Sequence, residues 1–190
     1  MSKILSFFLI FFIFLISCND SNLPKQSAFL RIEFPEPNYL FHNELNLPTD
    51  FYYNSNAAMI GLANDSQLSI DYINMNLSID LSFNNLNNQQ RLENNLRDFL
   101  LILDTHSKKS NGVVMREYED KNKRKFGKIF EMKGDVASPI QFYITDSLSN
   151  FMKGSLNLKF KSKYDSIFPT IQYVKNDIIV LFESLNWRSK

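Results

Sequence analysis

The residues whose types and spacing most directly specify a reaction are Leu15-Ile16-Ser17-Cys18. An apolar residue, a permissive position and a small residue lead into a cysteine. A signal peptidase needs a small side chain beside the scissile bond, and the cysteine thiol can take a diacylglyceryl thioether. Cys18 is the only cysteine in the chain, so neither a disulfide nor a cysteine-built metal cluster is available. Upstream, Lys3 supplies a positive start, and Ile4 to Ile16 is apolar except for Ser6. That run falls short of the roughly 20 residues a permanent membrane helix needs. It fits the apolar segment of about 7–15 residues in a signal peptide. Asn19, Asp20, Ser21 and Asn22 follow at once and are unsuited to a span. The pattern predicts a lipoprotein signal peptide over 1–17 and a lipidated tether over 18–27. The first expected partner is therefore a membrane, held by acyl chains on Cys18. Each buried CH₂ contributes about 0.8 kcal/mol, so two or three chains anchor firmly where one does not. An ordinary secretory signal with an unrelated cysteine is the alternative. Asn19-Asp20 does not name the membrane; the outer one is favoured over the inner, with the domain facing the periplasm.

Other chemistry is sparse. The chain has two histidines, His42 and His106, and no H-E-x-x-H, so a zinc site has few donors. No phosphate-cradling G-x-x-x-x-G-K-[ST] or G-x-G-x-x-G occurs, and no G-x-S-x-G elbow. A Ser-His-Asp set assembled from distant residues stays open, with His106 as its base. The plainer reading of His106 is a helix-end residue that suits the dipole. Lys121, Lys123, Arg124, Lys125 and Lys128 form a basic run beside Glu117, Glu119 and Asp120. It reads as a solvated hairpin tip, or alternatively as a contact for anionic lipid headgroups or glycan. With 21 Lys and Arg against 20 Asp and Glu, the charge is balanced, and no basic face is indicated for nucleic acid. No catalytic residue, metal ligand or cofactor is assigned.

The elements follow from periodicity. The mature chain has the length of one ordinary domain, expected over 28–190. Leu30, Ile32 and Phe34 alternate with Arg31 and Glu33 in a strand that Pro35 stops, and the Pro-containing stretch 35–50 reads as irregular. Residues 51–53 allow a short strand. In 76–83, Leu77, Ile79, Leu81 and Phe83 alternate with Asn76, Ser78, Asp80 and Ser82. A helix is expected over 88–105, with Leu92, Leu96, Phe99, Leu100 and Leu103 as its stripe. Four strands then follow at 113–119, 126–133, 139–146 and 153–160. A second helix over 166–186, capped by Asp165 or Ser166, carries Ile171, Val174, Ile178, Leu181, Phe182 and Leu185. The order predicts an α+β fold, an antiparallel sheet of about five to six strands with two helices packed on its apolar face. That would leave a face rich in Ser, Asn, Lys and Tyr free for a partner. A three-layer α/β/α sandwich is the alternative.

Three blocks carry a family resemblance. They are Phe29-Leu30-Arg31-Ile32-Glu33-Phe34-Pro35-Glu36, the segment from Gly127 to Phe160, and Asp165-Ser166-Ile167-Phe168-Pro169 through Asp177-Ile178 to Glu183 and Trp187. The middle block holds Glu131-Met132-Lys133-Gly134, Ala137-Ser138, Gln141-Phe142-Tyr143-Ile144-Thr145-Asp146-Ser147 and Phe151-Met152-Lys153-Gly154-Ser155-Leu156. In these the chain resembles the gliding-motility lipoprotein GldD family of Bacteroidetes. Tyr72, where the family's W-I-N segment has Trp, and Pro139 depart from its pattern. The resemblance implies a non-enzymatic accessory protein of gliding and of the allied type IX secretion machinery, partnered by other envelope proteins of that apparatus. It brings no catalytic residues. A lipid- or glycan-binding module is the second reading, and an envelope hydrolase using His106 the third.

Overall fold

The computed structural model describes residues 32–43, 47–64 and 66–188. The expected signal peptide, Cys18, the tether and the first strand as far as Arg31 lie outside them. Two antiparallel sheets and two helices make up the rest. The small sheet joins β1 (Tyr39–His42), β2 (Thr49–Asn54) and β10 (Asn186–Trp187). The large one has seven strands, β3 (Met59–Asn64), β4 (Gln67–Tyr72), β5 (Leu77–Asn85), β6 (Val113–Asp120), β7 (Lys125–Met132), β8 (Ile140–Thr145) and β9 (Asn150–Leu158). Their spatial order is β3-β4-β5-β9-β8-β7-β6. The helices are α1 (Gln89–Ser107) and α2 (Tyr164–Ser184).

The expected α+β class of an antiparallel sheet with two packed helices is present, and the helices take opposite faces of the large sheet. Neighbouring strand residues show this, because successive side chains point to opposite sides of a pleat. Ile129, Phe142 and Met152 share a core with Ile171, Val174 and Ile178 of α2. Phe130, Tyr143 and Phe151, each one position away, pack under Leu92, Phe99 and Leu103 of α1. The three-layer arrangement is therefore the one realised for the large sheet. Two further differences concern strand number. Ile32–Phe34 carry no strand, whereas β1 forms inside the stretch expected to be irregular. The β3–β4 hairpin adds a pair that the sequence did not mark, and it brings the sheet to seven.

Local chemistry fixes the helix ends. Asn88 caps α1, its Oδ1 accepting the Arg91 N–H at 2.9 Å, as a short polar residue at this position should. The α1 stripe is narrower than expected, since Leu100 is 52 % exposed. α2 starts two residues earlier than its pattern suggested, and neither Asp165 nor Ser166 caps it. Asp135, from the β7–β8 connection, instead accepts the Tyr164 N–H at 2.7 Å. The cap is thus tertiary, and no local motif could announce it.

The far end of α2 corrects the reading of the basic run at Lys125. Lys125 is fully buried, and its ammonium donates to the carbonyls of Phe182 (2.9 Å) and Glu183 (2.8 Å). These belong to the last turn of α2, where carbonyls lack intrahelical partners. Burial is the main cause that pulls the Lys125 pKa below its ordinary value. Only Lys121, Lys123 and Arg124 remain as an exposed tip. Lys125→Met should lower stability by about 1.5–3 kcal/mol, the range for charge-assisted hydrogen bonds. Lys121→Met should stay within about 0.5 kcal/mol, as exposed substitutions do. Thermal melts of both variants beside the parent decide this.

Candidate functional site

The outer face of the large sheet is only partly covered by α1, and the step between them forms a cleft of about 370 Å³. Phe99, Ile102 and His106 project into it from one side of the helix. Its floor comes from β4, β5, β8 and β9 through Ser69, Asp80, Ser82, Gln141, Lys153, Ser155 and Asn157. The strand register brings these together: Asp80 lies opposite Ser155, and Ser82 opposite Lys153. Cross-strand pairing puts opposed residues on the same face, so the polar alternation in sequence becomes a polar floor.

Part of that floor is internally satisfied. Asp80 accepts from Ser69 Oγ (3.0 Å) and Asn157 Nδ2 (2.7 Å), and Asn157 also reaches Ser155 Oγ at 3.0 Å. Lys159 bridges to Asp71 at 2.6 Å. Among the described residues, Gln141, Ser82, Lys153 and the His106 imidazole enter no such bond. Gln141 is the telling member. It is 2 % exposed, and a buried carboxamide is ordinarily hydrogen-bonded at both ends. His106 shares the cleft with serines and Asp80 but bonds to none of them, so a nucleophile–base–acid chain is not assembled. No group of three or more His, Cys, Asp or Glu positioned to hold a metal occurs among the described residues.

Two buried polar clusters lie on the other side of the sheet. Asp177 accepts from Tyr39 Oη (2.7 Å), Tyr72 Oη (2.9 Å) and Asn54 Nδ2 (3.2 Å). Desolvation raises its pKa above the ordinary value, with these hydrogen bonds pulling the other way. Asn54 Nδ2 also reaches Tyr173 Oη at 2.8 Å, whose hydroxyl donates to the Pro35 carbonyl at 2.8 Å. Phe34 stacks on Tyr173 with ring centroids 4.6 Å apart. In the second cluster Lys175 donates to Glu131 at 2.6 Å, and Gln172 donates to the other carboxylate oxygen at 2.7 Å. Both clusters tie α2 to strands and face away from the cleft, so their role is to hold the fold. His42 is likewise buried, its ring against Phe51 and Tyr53.

A model of the family described as gliding motility lipoprotein GldD matches residues 19–187. The chain belongs to the GldD family. A comparison with individually curated proteins gave no match. No helix among the described residues is long and apolar enough to cross a membrane.

The segments that carried the GldD resemblance divide physically. In Gln141-Phe142-Tyr143-Ile144-Thr145-Asp146-Ser147, the last three build the β8–β9 turn. Asp146 Oδ1 accepts the N–H groups of Leu148 (2.9 Å), Ser149 (2.8 Å) and Asn150 (2.9 Å). Thr145 Oγ1 donates to the Asn150 carbonyl at 2.6 Å, and Ser147 has φ of 63°. Phe142 fills the core, and Gln141 alone enters the cleft. Ser138 donates to the Leu156 carbonyl at 3.0 Å, a structural bond. Tyr72 gives its hydroxyl hydrogen to Asp177.

Acid stability follows from two of these carboxylates. Burial works against the charge of Asp146, yet its backbone and Asn150 hydrogen bonds hold its pKa below the ordinary value. Glu131 is held low in the same sense, where Lys175 and Gln172 outweigh burial. Folded values below the unfolded ones mean that the native state binds fewer protons in the acid range. Their contribution is therefore present above about pH 4 and is lost as pH falls through the folded values. Asp146→Asn and Glu131→Gln should each flatten the drop in melting temperature between neutral pH and about pH 3, read by thermal melts in a pH series.

Proposed function

We propose that the chain is a membrane-anchored lipoprotein, cut before Cys18 and acylated there. It acts as a non-enzymatic accessory or assembly component of the gliding motility and type IX secretion machinery. The observation that carries this reading is the continuity of two independent features. The GldD match begins at residue 19, immediately after the cysteine of Leu15-Ile16-Ser17-Cys18. The tether 18–27 then connects the acyl chains to a single α+β domain over 28–190, facing the periplasm from the outer membrane. The unassembled His106 set supports a binding role over a hydrolytic one. The alternative, a lipid- or glycan-binding module, differs in making the cleft the working part instead of a protein–protein surface.

A deletion strain complemented with wild type or with Cys18→Ala tests the reading. Labelled palmitate should enter the wild-type chain and not the variant. Secreted cargo and colony spreading should return only with the acylated form. Normal secretion and spreading in the uncomplemented deletion strain would overturn the assignment to the apparatus.

A further inference from the structure

We propose that the cleft between α1 and the polar sheet face is a binding site for a neutral saccharide, with Gln141 as its central hydrogen-bonding residue. The proposal rests on the binding-module reading and names its ligand class. Gln141 is 2 % exposed, its side chain makes no hydrogen bond among the described residues, and it lies in the wall of an open 370 Å³ space. The carboxamide keeps its solvent contact through the cleft, so a hydroxyl that enters there replaces water at a donor and an acceptor already held in place. A volume of this size falls in the range of small-molecule sites, about 300–1,000 Å³.

The chemistry of the lining selects the class. Gln141 offers two donors and one acceptor, Ser82 one donor and two lone pairs, and Lys153 donors, while Asp80 is already engaged by Ser69 and Asn157. A ligand must therefore both donate and accept at closely spaced points, as vicinal hydroxyls do. Asp80 and Lys153 carry opposite charges, so the floor has no net preference for an anion or a cation. Opposite this floor, Phe99 and Ile102 make an apolar wall, which suits the C–H face of a pyranose ring. An acyl chain fits poorly, because it would cover Gln141 and Lys153 without pairing them. A phosphate-bearing ligand would meet the Asp80 carboxylate.

Saturation-transfer difference NMR on the full-length chain tests this, in a zwitterionic detergent without a sugar headgroup. The probes are glucose, mannose, N-acetylglucosamine and its β-1,4-linked disaccharide, with octanoate and methyl phosphate, whose methyl protons report binding, as counter-probes. At least one saccharide should show saturable transfer, strongest at its ring C–H protons. Gln141→Leu should weaken that saccharide at least tenfold, about 1.4 kcal/mol. Ile102→Glu, at a 45 % exposed position, should do the same by altering the wall while leaving the core intact. Saturable transfer to octanoate or methyl phosphate in place of any saccharide would overturn the ligand class while keeping a binding module. No transfer to any probe up to about 10 mM, ten times a millimolar dissociation constant, would overturn both. Binding unchanged in both variants would remove the cleft as its location.

Discussion

Asp177→Ala is expected to destabilise the protein by about 3–5 kcal/mol, because it removes the acceptor of the buried Tyr72 and Asn54 donors and of the half-buried Tyr39 hydroxyl, a buried donor costing about 1–3 kcal/mol when unpaired. Tyr39, Tyr72 and Asn54 all point at this carboxylate, and they come from β1, β4 and β2 respectively. The loss should therefore appear as loosening of the small sheet against α2 as well as a lower melting temperature. A folded domain has only about 5–15 kcal/mol in total, so the variant should be near the limit of folding at physiological temperature. Urea unfolding gives the magnitude, and hydrogen exchange in β1 and β2 gives the location. A loss below 1 kcal/mol would mean that water replaces the carboxylate and that the network is not what holds the sheets together.

The same residue has a pH signature. Its folded pKa is raised, mainly by desolvation, so the native state keeps this proton to higher pH than the unfolded chain does. Its contribution is present below the unfolded value and is lost as pH rises through the folded one. Wild type should therefore gain stability relative to Asp177→Asn as pH falls from neutrality toward about 4. This is opposite in sign to the behaviour of Glu131 and Asp146, and a paired pH series separates them.

Gly127→Ala should cost about 3 kcal/mol, the upper end of the range for overpacking. A Cβ there would stand 2.5 Å from the Tyr143 carbonyl oxygen and 2.9 Å from Phe182 Cε1. The ring can turn aside. The carbonyl cannot, because β8 is hydrogen-bonded on both sides, to β7 and β9. Relief would require parting the middle of the sheet. Gly154→Ala meets side chains instead, Phe142 and Leu81, and should cost about 1–2 kcal/mol as they repack. Gly61 on the edge strand has nothing within 4 Å of an added Cβ. Gly61→Ala should therefore be neutral or slightly stabilising, by about 0.5 kcal/mol. Chemical denaturation of the three variants ranks them, and equal losses would show that glycine flexibility, not close approach, is what matters.

Several features were legible in the sequence because they depend on neighbours along the chain. Alternation placed Leu77, Ile79, Leu81 and Phe83 inside and Asp80 and Ser82 outside, and all of them lie as expected. Helical spacing located α1 and α2 within two residues. The pattern on which the proposed lipidation at Cys18 rests is also local, running from Leu15 to Cys18. Asp177 gave a partial signal, as a charge beside the apolar stripe of Val174, Ile178 and Leu181. Its three donors are 105 to 138 residues away, and no periodicity reaches that far.

What only the tertiary structure decided is which face each helix covers, and with it the candidate site. Tyr143, Phe130 and Phe151 sit among polar residues on the outer face, and they form the landing for α1. Alternation ranks a face as polar overall, but three aromatic side chains suffice to bind a helix there. Gln141 shows the consequence: its strand position sets the face it lies on, while its place in a cleft with Phe99, Ile102 and His106 comes from where α1 crosses that face. Lys125 is the same case at the hairpin. A run of lysines reads as solvated from composition, and this one is buried because the fold brings the last carbonyls of α2 to its ammonium. Local patterns determine the elements and their faces, whereas pairing over long sequence distances determines which polar groups are covered, satisfied or left facing a cleft.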